Sequence, residues 1–161
     1  MDLREQIEIV TKRYPNNRSA IMPALFIAQK QYGYLGGDVL QQVADILDVP
    51  EIWVFELATF YTMFHTESIG EYHIQVCTNV SCLLRRAENL VGYLENRLKI
   101  KAGETTNDGR FSLSSVECLG ACDKAPALMV NQDYFENQDE EKLGQLLDQL
   151  SSREIGLSGD N

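Results

Sequence analysis

Two short stretches decide what kind of protein this sequence encodes, Cys77-Thr-Asn-Val-Ser-Cys82 and Cys118-Leu-Gly-Ala-Cys122. They contain all four cysteines of the chain, as a C-x4-C pair and a C-x3-C pair separated by residues 83–117. Two thiolates from each of two short loops form a four-sulfur cage of the kind that binds zinc or an iron–sulfur cluster. The sequence therefore predicts a metal centre.

Disulfide bonds and redox-active dithiols fit this pattern less well. The chain opens with Met1-Asp-Leu-Arg-Glu5, which has no apolar signal region, so we expect a cytoplasmic protein whose thiols stay reduced. A thioredoxin-type dithiol requires C-x-x-C, and no such motif occurs in the sequence. A metal centre therefore remains the favoured interpretation.

Zinc and iron–sulfur both remain open, and the spacing favours iron–sulfur. Structural zinc sites usually take their ligands from tight C-x2-C pairs, which makes a zinc-stabilised interaction module the remoter alternative. A 2Fe-2S rhomb needs two cysteines on each iron, so two separated pairs match its shape; a bulkier cubane would also accept four thiolates. Gly120 would let backbone N–H groups approach the sulfurs. With four thiolates available, we do not expect His65 or His73 to be ligands.

Composition limits the possible partners. The 161 residues are 44% apolar and carry a net charge of -10, which disfavours nucleic acid and anionic lipid as partners. No apolar run approaches the length of a membrane span, so we expect no direct membrane insertion. There is no G-x-G-x-x-G motif and no P-loop, because the glycines Gly33, Gly36 and Gly37 fit neither pattern.

Residues 1–69 are predicted to form a helical bundle. Apolar residues at helical spacing predict helices over 2–14, 19–32, 38–47 and 50–61, the third capped by Asp38 and the fourth by Asp48. The fourth helix is apolar on nearly every side, which is more than one core face can use. We therefore expect part of it to pack in the bundle and part to contact a partner chain.

Residues 70–151 are predicted to form a second domain with a sheet, followed by a flexible tail over 152–161. Alternation over 72–76 predicts a strand that ends at Cys77, and helical spacing over 83–98 places Cys82 at or just before a helix N-terminus. Further strands over 111–116, 127–130 and 134–135 and a helix over 139–150 complete an α+β (α/β) pattern with one parallel crossover and a hairpin. Both cysteine pairs then fall where strands end.

The sequence resembles a known family at several places at once. The segments that carry the resemblance are the cysteine spacing, Gln31-Tyr-Gly-Tyr34, Ala58-Thr-Phe-Tyr61 and Cys118-Leu-Gly-Ala-Cys-Asp-Lys-Ala-Pro126. Together they resemble the thioredoxin-like 2Fe-2S ferredoxin subunits of NADH dehydrogenases, which are the E-type subunits of bacterial respiratory complex I. The resemblance covers about residues 5–150. It implies a helical bundle followed by a thioredoxin-like 2Fe-2S domain.

The resemblance also implies a function. Cys77, Cys82, Cys118 and Cys122 would bind one 2Fe-2S cluster, and the chain itself would carry no catalytic residue. The FMN and NADH sites would lie on a partner chain, the large F-type subunit, within the peripheral arm of NADH-quinone oxidoreductase on the cytoplasmic side of the bacterial inner membrane. The alternative is the equivalent small subunit of an NAD-dependent formate dehydrogenase or NAD-reducing hydrogenase.

Overall fold

A computed structural model describes residues 1–152 of the chain. The contacts within it divide the chain into two compact units, Met1–Ile69 and a second unit that begins at Gly70. The last helix ends at Ser152, which is the first residue of the predicted flexible tail. The remainder of that tail, residues 153–161, lies outside the described residues.

The first unit consists of helices packed around an apolar core. The helices are α1 (Leu3–Thr11), α2 (Ile21–Tyr32), α3 (Gly37–Leu47) and α4 (Glu51–Phe60), with a short 3₁₀ helix at Arg18–Ala20 before α2. Each places an apolar stripe inward, and the largest fully buried side chains are Ile7, Ile21, Leu25, Leu35, Val43, Leu47 and Val54. This arrangement agrees with the helical spacing in the sequence, because the buried positions recur every three or four residues.

Several helix ends in the first unit differ from the sequence prediction. The first helix ends at Thr11 rather than residue 14, since Arg13 and Tyr14 form turns with the carbonyls of Val10 and Thr11. Asp48 was predicted to cap α4, but it adopts φ +52° and donates its backbone N–H to the end of α3. It therefore ends one helix instead of beginning the next, and Pro50 directly precedes α4. In the same way Gly36, and not Asp38, precedes α3.

Helix α4 presents apolar side chains both inward and outward. Val54 and Ala58 are buried in the bundle. Ile52, Phe55 and Phe60 are 55%, 48% and 76% exposed. The core of the unit therefore uses only one side of this helix, and its other side leaves large apolar groups in solvent.

The second unit contains a four-stranded mixed sheet with strand order β2-β1-β3-β4. The strands are β1 (Tyr72–Cys77), β2 (Phe111–Val116), β3 (Leu128–Val130) and β4 (Asp133–Phe135). β1 and β2 are parallel, whereas β3 pairs antiparallel with both β1 and β4. The parallel crossover and the hairpin that the sequence predicted are both present, and the mixed α+β fold class is confirmed.

Helices cover the apolar face of this sheet. α6 (Ala87–Leu98) lies in the crossover between β1 and β2, and α7 (Glu140–Ser152) follows β4. They pack against the strands through a core of Ile74, Val76, Leu90, Leu94, Leu113, Leu128, Leu143 and Leu147. The predicted helix over 83–98 is wrong in one respect. Arg86 adopts φ +64° and separates α6 from a five-residue helix α5 (Val80–Leu84), so Cys82 lies inside α5 and not at the start of the long helix.

Candidate metal centre

Parallel strand pairing brings the two cysteine loops to one edge of the sheet. Cys77 is the last residue of β1 and stands in register with Val116, the last residue of β2. Since neighbouring parallel strands end at the same edge, the loop that follows Cys77 and the loop that contains Cys118 leave the sheet side by side. A backbone hydrogen bond from Thr78 to the Val116 carbonyl continues this pairing beyond the strands.

The two loops place their sulfurs in different environments. Cys77 and Cys82 are 3% and 2% exposed and pack with Ala87, Ala125 and Ala127. Cys118 and Cys122 are exposed. All four are free thiols. The candidate centre therefore has a buried side and a solvent side, each with two sulfurs.

The structure brings the four predicted ligand side chains into one connected group. The Cys77 thiol interacts with the side chains of Cys82 and Cys118. The Cys82 thiol interacts with those of Cys77 and Cys122. Within residues 1–152, no three His, Cys, Asp or Glu side chains are placed to hold a single metal ion. The four thiols are nevertheless linked pairwise, two from each loop, through Cys77 and Cys82.

The two buried thiols have opposite pKa shifts. Burial acts to raise the pKa of Cys77, but hydrogen bonds from the backbone of Asn79 and Leu119, and from two neighbouring thiols, outweigh it and lower that pKa. Burial raises the pKa of Cys82, and the nearby cysteine sulfurs raise it further. Cys77 is therefore the member of this pair that holds negative charge more readily.

Backbone N–H groups of the second loop point at sulfur. The N–H of Gly120 donates to Cys118 Sγ at 3.3 Å, and that of Leu119 hydrogen bonds to Cys77. Gly120 adopts φ +76°, a left-handed conformation that glycine accepts readily. Donors of this kind stabilise thiolates and the sulfurs of iron–sulfur clusters. The four thiols and their donors thus fit a 2Fe-2S cluster.

Neither histidine belongs to the group of four cysteine side chains. His73 is buried in β1, where its Nε2 lies 2.8 Å from Ser114 Oγ. His65 lies in the first unit, where its backbone N–H donates to Gln29 and burial lowers its pKa. The two histidines therefore make contacts that do not involve the four cysteine side chains.

Support for the second cysteine loop comes from the β4–α7 segment, which no motif in the sequence had indicated. Tyr134 donates its hydroxyl to the carbonyl of Leu119 at 3.1 Å. Glu136 forms an ion pair with Lys124 at 2.9 Å, and this contact raises the pKa of Lys124. The sequence predicted a hairpin with strands over 127–130 and 134–135, but the contacts follow only from the register that places β4 beside the loop.

Comparison with known proteins agrees with this fold. The chain belongs to the thioredoxin-like [2Fe-2S] ferredoxin family, whose model matches residues 7–151. The predicted resemblance is therefore confirmed. No helix within residues 1–152 has the length and apolar character needed to span a bilayer.

Two relatives with known names cover most of the chain. The chain is 56% identical to the E 2 subunit of NADH-quinone oxidoreductase from Rhizobium meliloti (strain 1021), across 96% of this chain and 92% of the relative. It is 46% identical to the E subunit of NADH-quinone oxidoreductase from Rickettsia prowazekii (strain Madrid E), across 88% and 82%.

The fold recurs among solved structures. An NAD+-reducing [NiFe]-hydrogenase in the H2-reduced state matches this chain with a TM-score of 0.72 and 22% identity. The match covers 81% of this chain but only 23% of the hydrogenase chain. At this identity the likeness concerns the fold alone.

Proposed function

We propose that this chain is an electron-transfer subunit of NADH-quinone oxidoreductase and carries one 2Fe-2S cluster on Cys77, Cys82, Cys118 and Cys122. The observation that carries the proposal is the gathering of these four free thiols at one sheet edge. The relative that is 56% identical, and that is named as an E subunit of that enzyme, supports it. When bound, such a cluster accepts and releases single electrons.

The residues around the sulfurs have separate roles in this proposal. Cys77 and Cys82 hold the buried side, where alanine side chains leave little access for water. The N–H groups of Leu119 and Gly120 stabilise negative charge on sulfur. Cys118 and Cys122 occupy the exposed side, which is where a redox partner approaches most closely.

The partner in this proposal is the chain that binds FMN and NADH, the F-type subunit. The sequence contains neither a dinucleotide fingerprint nor a P-loop, so hydride chemistry belongs on another chain. The complex would then lie in the peripheral arm on the cytoplasmic side of the bacterial inner membrane. The alternative assignments are a formate dehydrogenase and an NAD-reducing hydrogenase, and for the second of these the only support is a fold likeness at 22% identity.

The outward face of α4 is a suitable docking surface for that partner. Ile52, Phe55, Phe60 and Met63 are each at least 46% exposed. Residues 31–69 contain no lysine or arginine, and they contain the acidic residues Asp38, Asp45, Asp48, Glu51, Glu56 and Glu67. Arg18 stacks on Trp53 of the same helix α4 at 4.4 Å, but the other charged residues that these segments contribute are acidic. A mainly acidic border around an apolar face complements an apolar groove bordered by lysine and arginine. Two copies of this chain would instead bring two acidic borders together, which is unfavourable.

The cluster is tested by anaerobic purification of the chain with iron, sulfide and zinc analysis. We expect about two irons and two sulfides per chain and a paramagnetic 2Fe-2S signal on reduction. Stoichiometric zinc without sulfide would overturn the electron-transfer proposal and favour an interaction module.

The docking surface is tested by co-expression with the flavin-bearing chain of the same organism. Phe55→Ser combined with Phe60→Ser should weaken binding at least about tenfold, because buried aromatic anchors dominate interface energies. Ile9→Ser, which changes an exposed residue of α1, is the control and should leave binding unchanged. Equal binding by the double variant would remove α4 from the interface, whereas no binding by the unmodified chain would contradict the subunit assignment itself. A dimer of the unmodified chain that the double variant abolishes would assign the face to a second copy.

A further inference from the structure

One peptide unit links Tyr134 to a candidate ligand sulfur. The Tyr134 hydroxyl donates to the carbonyl oxygen of Leu119 at 3.1 Å. The N–H of the same peptide, which belongs to Gly120, donates to Cys118 Sγ at 3.3 Å. The hydrogen bonds therefore run in series from the phenol, through a single peptide group, to the sulfur.

The backbone alone does not fix the orientation of this peptide. Gly120 adopts φ +76°, and an added Cβ there would meet nothing within 4 Å. Because glycine accepts both positive and negative φ, the plane between Leu119 and Gly120 can rotate at low conformational cost. A rotated plane would turn a carbonyl oxygen, and not an N–H, toward the sulfur. The Tyr134 hydrogen bond stabilises the orientation in which the N–H faces Cys118.

We propose that Tyr134 is a positioning residue that holds the Leu119–Gly120 peptide with its N–H toward Cys118 Sγ, and so raises the reduction potential of the cluster. The inference rests on the proposed function, because it requires a 2Fe-2S cluster on this cysteine. Reduction adds negative charge, and an N–H donor on a ligand sulfur stabilises the reduced form more than the oxidised form. The phenol also polarises the peptide that carries this donor, which strengthens the N–H···S hydrogen bond.

The surroundings of Tyr134 agree with this role. Tyr134 lies on β4 opposite Met129 of β3, and its side chain is 53% exposed, so the apolar core does not depend on its hydroxyl. The downstream part of the same loop is held separately. Asn137 and Gln138 donate backbone N–H groups to the carbonyls of Lys124 and Pro126 at 2.8 and 3.0 Å. Removing the phenol oxygen therefore alters the Leu119–Gly120 end of the loop and leaves the other end in place.

The experiment measures the midpoint potential of the full chain loaded with its cluster, by redox titration followed by electron paramagnetic resonance. Tyr134→Phe should lower the midpoint potential while iron and sulfide content and thermal stability stay unchanged. Resonance Raman spectra in heavy water should show a smaller isotope shift of the Fe–S(Cys) bands in this variant, since a hydrogen bond to sulfur is weakened. Tyr93→Phe, which removes a hydroxyl from α6, is the matched control and should change neither measurement.

A ring-fluorinated tyrosine at position 134 tests the opposite direction. Fluorination makes the phenol a stronger donor, so the midpoint potential should rise while the side chain keeps its shape. If Tyr134→Phe loses its cluster, the midpoint potential of the fluorinated variant alone tests the inference. Potentials equal to those of the unmodified chain in both variants would overturn the inference and leave the proposed function intact, whereas an unmodified chain without a 2Fe-2S cluster would overturn both.

Discussion

The two cysteine loops differ in what holds them in place. Cys77 ends the central strand β1 and Cys82 lies in α5, so regular secondary structure and burial position the first pair. Cys118 lies in an exposed loop between β2 and β3, and Cys122 begins a three-residue 3₁₀ helix, Cys122–Lys124, in the same exposed segment. That loop is held by contacts from a later segment, among them the hydrogen bond from Tyr134. A single site can thus combine one rigid half with one half that depends on remote support.

The largest expected effect is the loss of bound iron when a ligand cysteine of either loop is replaced. Replacing either Cys77 or Cys118 by serine should remove most of the bound iron, because a binuclear cluster needs two thiolates on each iron. Iron and sulfide analysis of the anaerobically purified variants measures this directly. Ser81→Ala, which alters the first loop but no cysteine, should retain the full iron content. If either cysteine variant kept its iron, that cysteine would not be a ligand.

In the cluster-free chain, the thiols of the two loops should react with a maleimide at different rates. Cys118 and Cys122 should react with a maleimide at least about tenfold faster than Cys82, because a buried thiol reacts only after local opening. The raised pKa of Cys82 should make it slower than Cys77, whose pKa is lowered.

Mass spectrometry of timed digests gives the rate at each cysteine. The urea-unfolded chain is the control, since there all four thiols should react at similar rates. Uniform rates in the folded chain would mean that the first loop is no better protected than the second.

The sequence predicted the strands that lead into both cysteine loops, but not the contacts and helix boundaries around them. Alternation over 72–76 and the position of Cys77 are local signals, and the predicted strand agrees with β1. The hairpin of β3 and β4 was predicted, but the contact of Tyr134 with Leu119 also requires β4 to lie beside the second cysteine loop, which no local pattern encodes. The break at Arg86 was also missed, because its left-handed backbone conformation leaves no trace in the apolar spacing of residues 83–98.

The smallest predicted effect concerns the backbone of the second loop. Gly120→Ala should destabilise the cluster-free chain by about 1 kcal/mol, because a Cβ disfavours the left-handed conformation that φ +76° represents. The added methyl group itself meets nothing within 4 Å, so the cost is one of backbone conformation and not of packing. Urea unfolding measures the change in the free energy of unfolding.

Gly92→Ala is the matched control for this effect. Gly92 lies inside α6 and also has nothing within 4 Å of an added Cβ, but it has no positive φ. Alanine there should stabilise the chain by about 0.5–1 kcal/mol, since alanine favours the helix over the unfolded chain. Opposite signs at the two glycines would show that the second loop holds a conformation that ordinary side chains disfavour. Equal signs would mean that Gly120 relaxes to an ordinary conformation when the cluster is absent, and the N–H of its peptide would then not be preorganised toward Cys118.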